Sequence, residues 1–134
     1  MLSSEPAVWG VVGLGLVYGF LNGIHDSGGL AAAIVGAGAV SPRRVLLLIA
    51  AGQLAGALLA GVAVARTIGQ GIVLPVALSL GVVLAALGAA IIWNIATWLL
   101  GLPSSTSHAL IGGLVGAAWW RAGASAIHFP GLAW

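Results

Sequence analysis

Apolar residues run along most of this chain in four long stretches, Ala7 to Val40, Val45 to Ala65, Ile72 to Gly101 and Ser104 to Trp120, separated by short polar punctuation. Strict period-two alternation is missing, and the alanine, leucine and glycine content favours helices over half-exposed strands. Crossing ~30 Å of hydrocarbon takes about 20 apolar residues as a helix, and only helices or closed barrels satisfy their own backbone there. The pattern predicts an all-α integral membrane protein, a single transmembrane domain over residues 1–134. The first and third stretches are longer than one straight crossing needs.

The first stretch carries its own interruption. "NGIHDSGG", Asn22 to Gly29, puts polar and ionisable groups and three glycines where the middle of a long span falls, so a broken first helix is expected there. If the turn stayed helical, Asn22, His25 and Asp26 would share one face. At "SPRR", Ser41 can cap, Pro42 fits a first helical turn, and Arg43 with Arg44 mark a water-exposed end. The second stretch should stop at the polar, glycine-rich "RTIGQG", Arg66 to Gly71, and Pro75 then falls near the start of the third, where proline is tolerated. Pro103 lacks a backbone donor and disfavours helix at Leu102, so one helix should end near Gly101 and another begin at Pro103 or just after, as a helix-turn or re-entrant hairpin. Small residues recur four apart at Gly15, Gly19 and Gly23, at Gly52 and Gly56, and at Gly112 and Gly116. Such ridges let helices pack closely in lipid.

Composition narrows the class. Hydrophobic residues make up 61% of the chain and charged ones 4%, against roughly 25% charged in soluble domains; mean hydropathy is +1.20. The ionisable groups are Glu5, Asp26, Arg43, Arg44, Arg66, Arg121 and three histidines, with no lysine. The basic balance therefore reflects a scarcity of acids and does not point to nucleic acid. Cysteine is absent, which excludes disulfides, thiol chemistry and Cys-based metal sites. No basic region precedes the first stretch, so a cleaved signal peptide is not expected. If Arg43 and Arg44 are cytoplasmic, Arg66 lies outside; Arg121 then gives a 3:1 bias if the last stretch is re-entrant and 2:2 if it crosses fully.

Two constellations could carry chemistry. Asp26 is the one acid inside an apolar stretch, and a mid-membrane carboxylate costs about 2.5 to 3.5 kcal/mol on insertion scales, so it needs a partner or a function. Its carboxylate, the Asn22 amide and carbonyls freed by a helix break are hard oxygen ligands suited to Na⁺ or a proton; pairing of Asp26 and His25 with another helix is the alternative. The second constellation is "PSSTSH". A helix starting there points unpaired amides from Ser104 to Ser107, and the positive end of its dipole, outward. The hydroxyls of Ser104, Ser105, Thr106 and Ser107 add donors without fixed charge, a nest able to hold an oxyanion and release it. The same residues also suit an ordinary capped loop. His108 could donate to an anion or lie against a neighbour, and His128 in the tail "AIHFPGLAW" reads as interfacial. Asn94 and Thr97, three apart, face the same way, toward a cavity or as interhelical hydrogen-bond glue, with Trp93 and Trp98 as anchors.

Three segments, "FLNGIHDSGG" (20–29), "SPRRVLLLIAAGQLAGALLAGVAVARTIGQGIV" (41–73) and "IIWNIATWLLGLPSSTSHALIGGLVGA" (91–117), together resemble one repeat of the inorganic phosphate transporter family, the Na⁺- or H⁺-coupled PiT carriers. The resemblance implies inverted-topology repeats whose broken or hairpin helices meet near the midplane and carry phosphate with a coupling cation. It implies that Ser104, Ser105, Thr106 and Ser107 fall on the substrate signature with Asn94 and His108 nearby. Asp26, with Asn22 and His25, falls in the cation region, and Asp26 is the candidate Na⁺ ligand. Gly29 stands where the family motif usually has asparagine, so cation coordination does not carry over at that position. Each signature occurs once here and twice in a full carrier, which implies half a transporter.

The first reading is thus cation-coupled phosphate transport by alternating access, with Na⁺ or H⁺ as coupling ion and no other cofactor. The chain would work in the lipid bilayer as a homo-oligomer, antiparallel copies included, or with a homologous second-half subunit. A plasma or bacterial inner membrane is implied by the family alone. A sulfate permease of the same family, a non-transporting structural module and a truncated fragment stay open. A membrane enzyme is disfavoured, because Ser, His and Asp need a mutual geometry that spacing does not supply.

Overall fold

The computed structural model describes residues 5–38 and 40–129, without the side chains of 67–70. The outermost residues of the single-domain reading, 1–4 and 130–134, lie outside the described residues. The described chain is all-helical: α1 (Glu5–Gly36), α2 (Pro42–Gly71), α3 (Leu80–Leu99) and α4 (Thr106–Ala122), with single 3₁₀ turns at Pro75–Ala77 and Ala124–Ala126. Three helices are long and apolar enough to cross a membrane, namely α1, the Pro42–Arg66 part of α2, and α3.

The expected break in the first helix does not occur. α1 runs unbroken through Asn22–Gly29. Glycine costs a helix only about 1 kcal/mol each, and no proline is present to remove a donor. In hydrocarbon an opened turn would leave carbonyls without partners, which is the larger penalty. α2 likewise continues past the expected stop at Arg66 to Gly71. The third stretch is shorter as a helix than it reads: Val73 forms an antiparallel bridge with Ile127, a 3₁₀ turn follows at Pro75, and α3 begins only at Leu80.

α3 and α4 form the best-packed unit, an antiparallel hairpin. Its foot is tied by Leu74 N–H to the Ala126 carbonyl at 2.9 Å and His128 N–H to the Ile72 carbonyl at 2.9 Å. Ser79 caps α3, accepting from the Val82 amide at 3.3 Å, and the Arg121 guanidinium donates to the same hydroxyl. The core gathers around this foot, with Ile72, Val73, Val82, Ala86, Leu114, Ala118 and Ile127 buried. At the tip, Gly101 adopts φ +65°. Gly101 N–H reaches the Trp98 carbonyl at 3.1 Å and Leu102 N–H the Thr97 carbonyl at 2.9 Å, a Schellman motif that ends α3. α4 then starts at Thr106, three residues later than Pro103 suggests. α1 packs on α3 running in the same direction, Gly10 near Leu84 and His25 near Asn94. α2 lies outermost, against α1, with Gln53 donating to Ser27 at 3.4 Å.

The glycine ridges do not pack these helices on one another. A Cβ at Gly15, Gly19, Gly52, Gly56, Gly112 or Gly116 would meet nothing within 4 Å, and one at Gly23 only the Gln53 side chain at 4.0 Å. The close approach is made instead by Gly113, where a Cβ would lie 2.7 Å from the Ala86 carbonyl oxygen. Backbone cannot yield as a side-chain tip does, so Gly113→Ala should destabilise the hairpin by about 1–3 kcal/mol. Gly112→Ala next to it should be neutral; comparing the two by unfolding in mixed micelles tests the crossing.

Candidate functional site at the start of the fourth helix

Thr106 is the first residue of α4 and is 1% exposed. Its hydroxyl donates to Asn22 Oδ1 and also lies 3.4 Å from Asp26 Oδ1. Its carbonyl accepts from the Tyr18 hydroxyl at 2.9 Å. Tyr18, Asn22 and Asp26 follow one another at intervals of four along α1, one stripe of a continuous helix. The unbroken helix thus gathers Asn22 and Asp26 on the face that spacing predicts. Asn22 Oδ1, Asp26 Oδ1 and Thr106 Oγ1 together form a small set of hard oxygens. The broken-helix carbonyls expected to join them are closed within α1.

His25 stands beside this stripe and meets α3, its Nε2 lying 3.1 Å from the Asn94 backbone carbonyl. The same carbonyl and that of Trp93 accept from Thr97 Oγ1, at 3.2 and 2.9 Å. Thr97 therefore bonds within its own helix, as hydroxyls in apolar helices do. Asn94 differs. It is fully buried, and neither its amide nitrogen nor its amide oxygen has a hydrogen-bond partner. A buried primary amide without partners costs about 1–3 kcal/mol and marks a place where a polar group fits.

The hydroxyl run divides at Thr106. Ser104 accepts from the Trp93 indole N–H at 3.0 Å. Ser105 is the N-cap of α4: its Oγ accepts from the His108 amide at 3.4 Å and lies 2.7 Å from His108 Nδ1. Ser104 and Ser105 are thus loop and cap, correcting the expectation that their amides open the helix. The cap also satisfies the third amide of α4, leaving those of Thr106 and Ser107 as the unpaired donors of the helix start. Ser104, Ser105 and His108 face a groove of about 1010 Å³ between α3 and α4, which runs past Trp93 to Trp120 and Arg121. Ser107 is exposed and does not line that groove. The tertiary structure accordingly makes two neighbourhoods from the predicted residues. An inner one holds Asn22, Asp26 and Thr106, with His25 and Asn94 adjoining; an outer one holds Ser104, Ser105 and His108.

A model of the phosphate transporter family matches residues 22–134. The chain belongs to the phosphate transporter family. It is 42% identical over 127 residues, 95% of its length, to a probable low-affinity inorganic phosphate transporter of Rhizobium meliloti (strain 1021), and spans 38% of that relative. It is 46% identical over 124 residues, 91% of its length, to a protein of the same description from Streptomyces halstedii, spanning 57% of it. The low-affinity inorganic phosphate transporter PitB of Escherichia coli (strain K12) is 37% identical over 107 residues, 75% of the chain and 21% of the relative. The chain thus spans well under two thirds of the length of these relatives. No solved structure matches it. Membership and the membrane-length helices make it a membrane protein of a transporter family, and the relatives it matches are described as transporters, not enzymes.

Sequence reasoning missed Tyr18 and the bonding role of Trp93. Tyr18 was readable in principle, four residues before Asn22 on the same stripe; the Trp93–Ser104 bond depends on how the hairpin turns and has no sequence signal. Thr106→Val keeps the volume and removes the hydroxyl. It should lower stability by about 1 kcal/mol, with Thr106→Ser close to wild type, both measured by unfolding in micelles.

Proposed function

We propose that the chain carries inorganic phosphate across the membrane together with Na⁺ or H⁺, as one half of an oligomeric carrier. The observation that carries this reading is the convergence of Asn22 and Asp26 on Thr106. It brings an acid and two neutral oxygens to the N-terminus of the helix that bears the serine-rich motif. The relatives' descriptions as inorganic phosphate transporters support the choice of anion.

Phosphate would sit at the start of α4 on the free amides of Thr106 and Ser107, aided by the helix dipole and by the neighbouring hydroxyls. Asp26 close by repels it unless a cation intervenes. Thr106 links the two events. A hydroxyl has one proton and two lone pairs. At rest its proton is given to Asn22; when the Thr106 oxygen ligates a cation held by Asp26 and Asn22, that proton is released to donate to the arriving anion. Cation first, anion second is the order this favours. Asn94, buried with both amide atoms free, is the adjoining group able to receive a phosphate oxygen or a P–OH proton.

In this reading the α3–α4 hairpin is re-entrant. Gln53 of α2 is level with Ser27 and Gly23, and at 1.5 Å per residue it lies about 14 Å from Arg44 and about 20 Å from Arg66. The inner site is then near mid-depth. α3 ends five residues, about 8 Å, beyond Asn94, short of the Arg44 level. The hairpin would enter from the Arg66 side as a whole and turn back within the membrane, which returns Arg121 to that side and gives the 2:2 arginine distribution by a route other than a full crossing of the last stretch.

Uptake of labelled phosphate into liposomes holding this chain, under a Na⁺ or proton gradient, tests the proposal. Gradient-dependent uptake should fall at least tenfold on Asp26→Asn and on Ser105→Ala. Absence of uptake by folded protein overturns transport by this chain with itself. Preference for sulfate in competition overturns the choice of anion, and unchanged sulfate binding on Asp26→Asn alongside lost phosphate binding would assign Asp26 the P–OH proton.

A further inference from the structure

The hydroxyls of Ser104, Ser105, Thr106 and Ser107 differ in what is left for their protons. A hydroxyl carries one proton and two lone pairs, whereas an indole N–H can only donate. The Trp93 indole donates to Ser104 Oγ at 3.0 Å, so Ser104 is held there as an acceptor and its own proton must go elsewhere. Among the described residues no acceptor takes it. The neighbours are arranged otherwise. Ser105 also accepts, from the His108 amide, but His108 Nδ1 at 2.7 Å can take its proton when that nitrogen carries none. Thr106 gives its proton to Asn22. Ser107 is exposed, and among the described residues nothing orients its hydroxyl.

Tryptophans of membrane proteins commonly anchor at the headgroup level, where water satisfies the indole. Trp93 stands beside Asn94, near mid-depth in the re-entrant arrangement proposed above, where its N–H needs an acceptor from protein. The Schellman turn at Gly101 supplies one by returning the loop, so that Ser104, eleven residues on, meets the ring. A backbone carbonyl would satisfy the indole equally well and would bring no proton with it. A hydroxyl in that place turns the bond into an oriented donor. Trp93 and Ser104 both border the groove that Ser105 and His108 face, and Ser104 lies two residues before Thr106, whose amide is one of the free donors of the helix start.

We infer that Trp93 is a positioning residue for the bound anion: by donating to Ser104 it makes that hydroxyl a donor aimed at an oxyanion oxygen. Trp93 acts through Ser104 and need not touch the anion itself. One lone pair of Ser104 is occupied, and polarisation along the chain of bonds makes its oxygen a weaker acceptor and its O–H a stronger donor. An oxyanion oxygen, rich in lone pairs and poor in protons, is the partner this favours, while a P–OH is left to an acceptor elsewhere in the site. The inference deepens the proposed function and rests on its placing of phosphate at the start of α4.

Binding of labelled inorganic phosphate to the purified chain in detergent micelles, with Na⁺ present, tests this without relying on transport. Ser104→Ala should raise the Kd about tenfold, and Trp93→Phe, which keeps an aromatic ring and removes the N–H, about threefold. Trp93 is 57% exposed, so the smaller ring leaves no enclosed cavity in the folded chain. With the Ser104 hydroxyl gone Trp93 has nothing to position, and the double variant should bind no more weakly than Ser104→Ala alone. A Trp93 that merely packs the hairpin would weaken binding by a further factor of about three in the double variant. That result overturns the inference, as does Trp93→Phe with wild-type affinity. The expected binding pattern without uptake into liposomes would end the transport reading and leave this inference standing; uptake by the wild type, with Trp93→Phe binding unchanged, would do the reverse. A folded chain that binds no phosphate overturns both.

Discussion

Thr106 lies buried between α1 and α4 with its hydroxyl turned to Asn22 and Asp26 and its carbonyl to Tyr18. In water each of these groups could be satisfied by solvent, and α1 could rotate freely against the hairpin. In hydrocarbon they have only one another, because an unpaired polar group there costs several kcal/mol. The polar stripe of α1 must therefore face the start of α4, which fixes the rotation of α1. That rotation turns Trp9, Leu16 and Phe20 outward, as a lipid-facing surface allows. The continuity of α1 follows from the same constraint, since opening the helix at Gly28 or Gly29 would create more unpaired groups than it served.

The hairpin that presents Thr106 is held mainly at its foot, by the bridge between Val73 and Ile127 and by the shared Ser79 hydroxyl. Its upper half has a different task. The close crossing at Gly113 and Ala86 brings the two backbones together, and the Schellman turn at Gly101 then lets the loop return so that Trp93 reaches Ser104. The result splits one motif between two environments. Thr106 points inward to α1, while Ser104, Ser105 and His108 border the open groove. A residue run that reads as one nest is in the fold a buried junction with an exposed cap beside it.

Much of the architecture was legible because a bilayer leaves few choices. The apolar stretches, the lack of alternation and the position of Pro103 lead to an all-helical chain with a turn near Pro103, although the end of the second helix and the starts of the third and fourth differ from those expected. Of the residues singled out as candidates, Asn22 and Asp26 meet Thr106 at the start of α4, Asn94 meets His25 through its carbonyl, and the rest of the hydroxyl run lies apart. The errors concern where glycine matters. Glycines spaced four apart at Gly15 to Gly23 or Gly52 and Gly56 look like packing ridges, yet they face open space, whereas the isolated Gly113 sits at the crossing. Spacing reports which residues share a face; it does not report which face another helix covers.

The sequence by itself determined the class, the number of long apolar segments, the family motif and the chemistry of its polar residues, because these depend on composition and short-range spacing. Only the tertiary structure decided that α1 stays whole, that Thr106 alone of the hydroxyl run is buried against α1, and that Arg121 returns to the side of Arg66. Those outcomes depend on contacts between residues up to 88 apart, as between Tyr18 and Thr106. There the balance is struck between burying a polar group with a partner and leaving it without one, and no local pattern contains that balance.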